Sequence, residues 1–123
     1  MPYTNTVLVV DDSTMISKLL CSMLKKADYN ILSAVDGTDA LPLFDGRDID
    51  LVVTDLNMPN MDGDILINEI RQKDYYQYMP IVLFISGNEE EKKNYMKTSG
   101  ATILFDKKNI KEKFISTVKK IIA

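Results

Sequence analysis

Residue types on which many enzyme sites depend are missing or rare in this sequence. Histidine is absent, and cysteine occurs once, as Cys21. Without histidine, the chain cannot form a Ser–His or Cys–His nucleophile, a histidine general base or a histidine-bound zinc site of its own. One cysteine forms no intrachain disulfide, so Cys21 is predicted to be a passive thiol in a reducing, cytoplasmic setting.

Long apolar runs are missing as well. No apolar stretch approaches the roughly 20 residues of a membrane-spanning helix, and no basic segment followed by an apolar run opens the sequence. Neither a membrane span nor a secretory signal is therefore expected. The chain has 123 residues, of which 46% are hydrophobic and 27% charged. This composition predicts one globular domain over residues 1–123, with a core that needs no disulfide or metal.

Charge is distributed unevenly along the chain. Residues 1–91 hold 16 acidic and 6 basic side chains, whereas residues 92–123 hold nine lysines against Asp106 and Glu112. The net charge of −3 makes DNA a poor partner, and no DNA-binding domain is predicted. The lysine-rich end is either a pair of solvated helix faces or a surface for an acidic protein.

Short apolar segments alternate with segments of helical periodicity. This alternation predicts an α/β fold, (βα)5, in which helices cover a five-stranded parallel sheet. Ser13 is predicted to cap the first helix, and Asn109 with Glu112 to form a capping box on the last. The predicted strands are 6–10, 29–35, 49–54, 80–85 and 101–105.

Polar side chains stand at the carboxyl ends of four of the predicted strands. Asp11 and Asp12 follow the first strand, Asp55 the third, Ser86 the fourth and Lys107 the fifth. Ligands of open parallel sheets bind at the carboxyl ends of the strands, and a strand order of 2-1-3-4-5 would bring these five side chains to one crevice. Clustered carboxylates without histidine or cysteine favour Mg²⁺, Mn²⁺ or Ca²⁺. Lysine and serine in the same crevice suit a phosphoryl group.

Four segments carry a resemblance to a known family. They are VLVVDDS (7–13), VVTDLNMPNMDG (52–63), IVLFISG (81–87) and GATILFDK (100–107). Together they resemble a bacterial response-regulator receiver domain of the single-domain, CheY-like type, and the similarity spans the whole chain. The resemblance implies a doubly wound, flavodoxin-like sheet of order 2-1-3-4-5 and a role in two-component phosphorelay signalling.

The resemblance also implies a role for each candidate residue. Asp55 would accept a phosphoryl group from a separate histidine kinase, which fits the missing histidine. Ser86 would be the switch hydroxyl, and Lys107 would contact the phosphoryl group. A downstream protein is expected on the fourth helix, the fifth strand and the fifth helix. The implied ligands of Mg²⁺ are Asp11, Asp12, Asp55 and the backbone carbonyl of Asn57.

Two positions depart from the family pattern. Lys108 stands where a proline usually follows the active-site lysine, so the Lys107–Lys108 peptide bond is expected to be trans. Leu104 replaces a common aromatic residue, and Phe105 beside it is expected to point to the opposite face of the sheet. Within the family pattern, Pro59 and Gly63 are expected to shape the loop behind Asp55.

Alternative functions remain open at this point. A receiver of this type can drain phosphate from a kinase as a phosphate sink, or bind partners without phosphorylation as a pseudo-receiver. A hydrolase of the haloacid-dehalogenase type is a further alternative, because Asp55-Leu56-Asn57 loosely matches its D-x-D motif. That family places the motif on its first strand, whereas Asp55 follows the third.

Overall fold

The structure, a computed structural model, describes residues 4–86, 94 and 99–122. Its strands are β1 (Thr6–Val10), β2 (Asn30–Ala34), β3 (Leu51–Asp55), β4 (Ile81–Ile85) and β5 (Ile103–Asp106). All neighbouring strands are parallel, and they form one sheet in the order β2-β1-β3-β4-β5. The predicted fold class and strand order are confirmed.

Helices follow the strands along the chain. The described α-helices are α1 (Thr14–Lys26), α2 (Gly37–Ala40), α3 (Gly63–Arg71) and α4 (Ile110–Ile121), with 3-10 turns at Leu41–Leu43, Asp74–Tyr76 and Lys107–Asn109. The helix α4 is the fifth helix of the sequence prediction. The predicted fourth helix falls on residues 87–98, which lie outside the described residues except for Asn94. None of the helices in the described ranges is long and apolar enough to cross a membrane.

Alternate side chains of the strands pack into two separate cores on the two faces of the sheet. Leu8 of β1 belongs to the core that α3 covers with Leu66. Its neighbour Val9 belongs to the other core, which contains Leu24 of α1 and Phe114 of α4. Because helices cover both faces, the central strands are apolar at nearly every position, as buried parallel strands are. Their polar residues are left to the strand ends.

The two departures near β5 behave as expected. Phe105 is buried in one core, where its ring centroid lies 5.4 Å from that of Phe84 and 6.1 Å from that of Phe114. Leu104 packs against the opposite core. No peptide bond in the part of the chain that the structure describes is cis, so the bond after Lys107 is trans.

One helix cap is confirmed and one is wrong. The hydroxyl of Ser13 accepts a hydrogen bond from the Ile16 backbone N–H at 3.4 Å at the start of α1. Asn109 makes no side-chain capping bond within residues 99–122. Capping needs an extended backbone, whereas Asn109 has φ −98° and ψ 8° at the end of a 3-10 turn. Asp106 caps that turn instead, accepting from the Lys108 N–H at 3.1 Å.

Candidate functional site

Three carboxylates meet at the carboxyl ends of β1 and β3. Asp11 and Asp12 follow β1 directly, and Asp55 is the last residue of β3. These strands are neighbours in the sheet, so their ends lie side by side. One carboxylate oxygen from each residue lies within 4.8 Å of those from the other two. Asp11 and Asp55 are buried, while Asp12 is exposed. The structure thus brings three of the predicted site residues together.

Lys107 reaches into this cluster from the end of β5. Its Nζ lies 2.9 Å from Oδ1 of Asp55. The same Oδ1 accepts a hydrogen bond of 2.9 Å from the backbone N–H of Leu56. Two donors therefore fix the orientation of the Asp55 carboxylate. The side chain of Lys107 is 32% exposed and that of Asp55 is 6% exposed. The ion pair therefore joins a buried carboxylate to a lysine that solvent partly reaches.

Asp11 has one satisfied and one unsatisfied oxygen. Its Oδ1 accepts a hydrogen bond of 2.8 Å from the Ser13 N–H. Its Oδ2 is buried and has no hydrogen-bond partner among residues 4–86, 94 and 99–122. Burial raises the pKa of Asp11, and the carboxylates of Asp55 and Asp12 raise it further, against the opposing effects of the Ser13 N–H and Lys107.

This arrangement fits a hard cation. Buried polar atoms in proteins nearly always have a partner. A carboxylate oxygen that lacks one, within an acidic cluster, is the kind of ligand that a hard cation binds. A crevice of about 200 Å³ opens beside the cluster, lined in part by Asp11, Asp12, Thr14 and Lys18. Asp55 does not line this crevice, which opens on the β2 side of Asp11 and Asp12, beside Ser33 and Ala34.

The loop behind Asp55 is held against the start of α3. The Gly63 N–H donates to the Leu56 carbonyl at 2.7 Å. A Cβ on Gly63 would lie 2.2 Å from the carbonyl oxygen of Asp55, a distance that no side chain tolerates. Glycine is therefore required where α3 packs against the backbone of the central acid. Pro59 is exposed, and its carbonyl accepts from the Met61 N–H at 2.7 Å within the same loop.

Two further predicted site residues lie on the loops that follow β4 and β3. Ser86 is exposed and directly follows β4. Asn57 is exposed and lies two residues beyond Asp55. Their implied roles, as switch hydroxyl and as carbonyl ligand of Mg²⁺, stay predictions.

An acid that the pattern of strand ends did not indicate lies beside the loop behind Asp55. Asp36 precedes α2 and accepts hydrogen bonds from the Asp39 N–H at 2.9 Å and the Thr38 hydroxyl at 2.8 Å. Its other oxygen accepts from Nδ2 of Asn60 at 2.8 Å. These bonds, the one from Asn60 foremost, lower the pKa of Asp36. An aspartate before a helix is a capping signal that the sequence does contain. The hydrogen bond between Asp36 and Asn60 joins residues 24 positions apart, and no sequence motif indicates it.

Comparison with known proteins agrees with this geometry. The sequence profile of the response regulator receiver domain matches residues 7–119. The chain belongs to this family. The chemotaxis protein CheY-3 of Vibrio cholerae is 33% identical over 86 residues, which are 69% of this chain and 66% of that protein. The high-resolution structure of the V. cholerae chemotaxis response regulator CheY4 has a TM-score of 0.90 at 30% identity, and the match covers 98% of this chain and all of that one.

Receiver domains within larger proteins are similar too. The sensor histidine kinase RcsC of Escherichia coli is 46% identical over 66 residues, which are 54% of this chain and 7% of the kinase. The chain therefore spans a small part of the length of these kinases. Taken together, the matches show a CheY-like receiver domain of two-component signalling. Membership of this family excludes the haloacid-dehalogenase alternative.

Proposed function

We propose that this receiver domain accepts a phosphoryl group on Asp55 and, once phosphorylated, changes its affinity for a downstream protein. The observation that carries the proposal is the ion pair of 2.9 Å between Lys107 Nζ and Asp55 Oδ1, next to the carboxylates of Asp11 and Asp12. It combines a fixed nucleophile with a positive charge for the incoming phosphoryl oxygens.

The donor is a phosphohistidine of a partner histidine kinase. A carboxylate oxygen of Asp55 attacks the phosphorus and forms an acyl phosphate, while the phosphorus–nitrogen bond breaks. The imidazole leaves with the bonding electron pair and takes up a proton. Water later cleaves the acyl phosphate, which returns the carboxylate and releases inorganic phosphate. Such transfers depend mainly on alignment and on charge stabilisation, because the transition state spreads negative charge over the phosphoryl oxygens.

The chain's own residues supply most of what this step needs. The Leu56 N–H and Lys107 hold the Asp55 carboxylate, and the lysine offsets its repulsion with the phosphoryl group. Asp11 presents its unpartnered Oδ2 for a cation. Mg²⁺, when bound, supplies positive charge beside the phosphoryl oxygens. Its proposed ligands are Asp11, Asp12, Asp55 and the carbonyl of Asn57.

Phosphorylation would act as a switch through charge. A phosphoryl group carries about −1.5 to −2 charges at neutral pH and offers three acceptor oxygens. We expect the hydroxyl of Ser86 to donate to one of them and to draw the loop after β4 toward the site. Such a local charge event can shift an equilibrium between two conformations of the adjoining segment.

The downstream partner is expected on the predicted fourth helix, β5 and α4. The exposed positions of α4 are rich in lysine, among them Lys111, Lys113, Lys119 and Lys120, so this helix presents a basic surface. A basic surface favours an acidic partner, and binding should weaken as salt is added because salt screens exposed charges. Phosphorylation-dependent binding that is insensitive to salt would contradict this assignment.

Phosphorylation is tested with acetyl phosphate and Mg²⁺, followed by intact mass spectrometry. We expect a mass increase of one phosphoryl group that requires Mg²⁺ and is lost in Asp55→Asn, whereas Asp45→Asn, at an exposed acid that pairs with Arg47, still gains the group. A wild-type protein that gains no mass under these conditions would be a pseudo-receiver, and the proposal would fail.

Output and phosphate-sink roles differ in what the activated protein binds. Beryllofluoride stands in for the phosphoryl group on Asp55, so the treated protein serves as bait in a pull-down. Capture of a non-kinase signalling protein supports a switch with an output, whereas capture of a kinase alone supports a sink. The cytoplasmic location stays a prediction.

A further inference from the structure

We propose that Asp36 and Asn60 form a latch that positions the loop between Asp55 and α3. Asp36 is then a positioning residue for the phosphoacceptor site, although it touches none of the site's carboxylates. The effect of the latch on Mg²⁺ and on phosphorylation rests on the proposed function, whereas its effect on the loop does not.

The first part of the latch is a buried carboxylate with three donors. Asp36 is 6% exposed, and Thr38 and Asp39 hold one of its oxygens. That leaves the other oxygen for Nδ2 of Asn60, at 2.8 Å. A hydrogen bond to an ionised acceptor is shorter and stronger than one between neutral groups. The low pKa of Asp36 keeps this acceptor ionised throughout the neutral range.

The second part is direct packing next to that hydrogen bond. Gly37 follows Asp36, and a Cβ at this position would lie 2.7 Å from Sδ of Met61. The start of α2 therefore sits on two consecutive residues of the loop, Asn60 and Met61. Asn60 has φ +69°, in the left-handed region that asparagine tolerates better than most residues. The loop tip thus has a defined backbone shape with a side-chain anchor at the same residue.

The other end of the loop is held separately. The hydrogen bond from the Gly63 N–H to the Leu56 carbonyl closes its base at 2.7 Å. Asn57, the proposed carbonyl ligand of Mg²⁺, lies between this base and the Asp36 anchor, and it is exposed. Loss of the anchor would leave the segment 57–62 held by its base and by the packing of Met58 and Met61 in the core. The carbonyl of Asn57 would then sample more orientations, and Mg²⁺ would bind more weakly.

Two single variants separate the latch from general stability. Asn60→Gly removes the side-chain bond and still permits the positive φ. Thr38→Ala is the matched control, because it removes another hydrogen bond from the same carboxylate without touching the loop. In the double variant Asp36→Asn with Asn60→Asp the amide and the carboxylate exchange places, so the bond between the two positions can re-form.

The readouts are amide hydrogen exchange of residues 56–63 and calorimetric titration with Mg²⁺. For Asn60→Gly we expect faster exchange in this segment and Mg²⁺ binding weaker by about 10-fold, the lower range of what losing a ligand-orienting partner does. Thr38→Ala should change neither, and the double variant should recover most of both.

Either of two results would overturn the latch. One is unchanged exchange of residues 56–63 in Asn60→Gly, and the other is an equal effect of Thr38→Ala. Failure of the proposed function is a separate result, in which the wild-type protein takes up no phosphoryl group. The difference in hydrogen exchange between Asn60→Gly and Thr38→Ala would test the latch in that case too, because exchange does not depend on phosphorylation.

Discussion

At the carboxyl end of the sheet three carboxylates meet beside the ammonium group of Lys107, whereas at the opposite end a guanidinium donates to backbone carbonyls. The second group is Arg71, the last residue of α3. Its Nε and Nη2 donate to the Gly100 carbonyl at 3.2 and 2.9 Å, and its Nη1 donates to the carbonyls of Gln77 and Met79. These acceptors precede β4 and β5, so Arg71 ties together the amino ends of two strands.

The difference between the two ends lies in what is left unsatisfied. The guanidinium of Arg71 donates to three backbone carbonyls, and such a network stabilises one structure. The acidic end keeps the buried Oδ2 of Asp11 without a partner in the described ranges. A ligand that fills this position would interact with Asp11 directly, so the acidic cluster can respond to binding. Substitutions at the acidic end should therefore change binding and reactivity, and those at the Arg71 end should change stability alone.

The largest effect is expected for Lys107→Ala. Removing the ammonium group from Asp55 should slow phosphorylation by acetyl phosphate about 100-fold, which is typical for the loss of one charge-stabilising donor. The measurement is the rate of mass gain at saturating Mg²⁺. Lys108→Ala is the control, because that lysine is 78% exposed and lies 3.6 Å from Asp106. Equal rates for the two variants would contradict the assigned role of Lys107.

Next in size is Gly63→Ala. The added methyl group would meet the Asp55 carbonyl at 2.2 Å, so either α3 or the end of β3 must move. We expect the free energy of unfolding to fall by about 2 kcal/mol, as overpacking typically does. Urea denaturation measures this, and Mg²⁺ titration of the same variant should show weaker binding. Wild-type stability would mean that α3 does not rest on this carbonyl.

Arg71→Ala should be purely destabilising. Losing its hydrogen bonds should lower the free energy of unfolding by about 1.5 kcal/mol, with Mg²⁺ affinity unchanged. Arg47→Ala is the control, since Arg47 pairs at 2.9 Å with exposed Asp45, and surface pairs of this kind contribute little. If Arg71→Ala altered Mg²⁺ affinity, the distinction between the two ends of the sheet would fail.

The smallest effect is expected for Asp11→Asn, and it concerns thermal stability. The variant should be more stable than the wild type without Mg²⁺ and less stable with it. Because the pKa of Asp11 is raised in the folded state, its ionised form destabilises that state as pH rises through the folded pKa. Without Mg²⁺ at neutral pH, Asp11→Asn should therefore melt higher than the wild type. The difference should shrink as pH falls toward the ordinary value of 3.8.

Excess Mg²⁺ should reverse this order, because only the wild type gains stability from the bound ion. Thermal melting with and without Mg²⁺ measures both effects. A variant less stable than the wild type in the absence of Mg²⁺ would show that Asp11 does not carry the repulsion inferred from its burial.

Much of the fold followed from local patterns and from the family resemblance. Apolar segments marked all five strands, although β3 and β5 each begin two residues later than predicted, at Leu51 and Ile103. The capping box of Asn109 failed for a local reason, because the 3-10 turn that precedes α4 places that residue outside the capping conformation. A spacing of residue types does not report the backbone angles on which a cap depends.

The order of amino acids was enough to predict the alternating strands and helices, the polar residues at the strand ends and, through the motifs, the family. Which of these groups meet became clear only from the folded chain. Lys107 pairs with Asp55 rather than with another acid, Asp36 accepts from Asn60, 24 residues away, and Arg71 reaches Gly100, 29 residues away. Such pairings depend on how separate elements pack against each other, and no local run of residues contains that information.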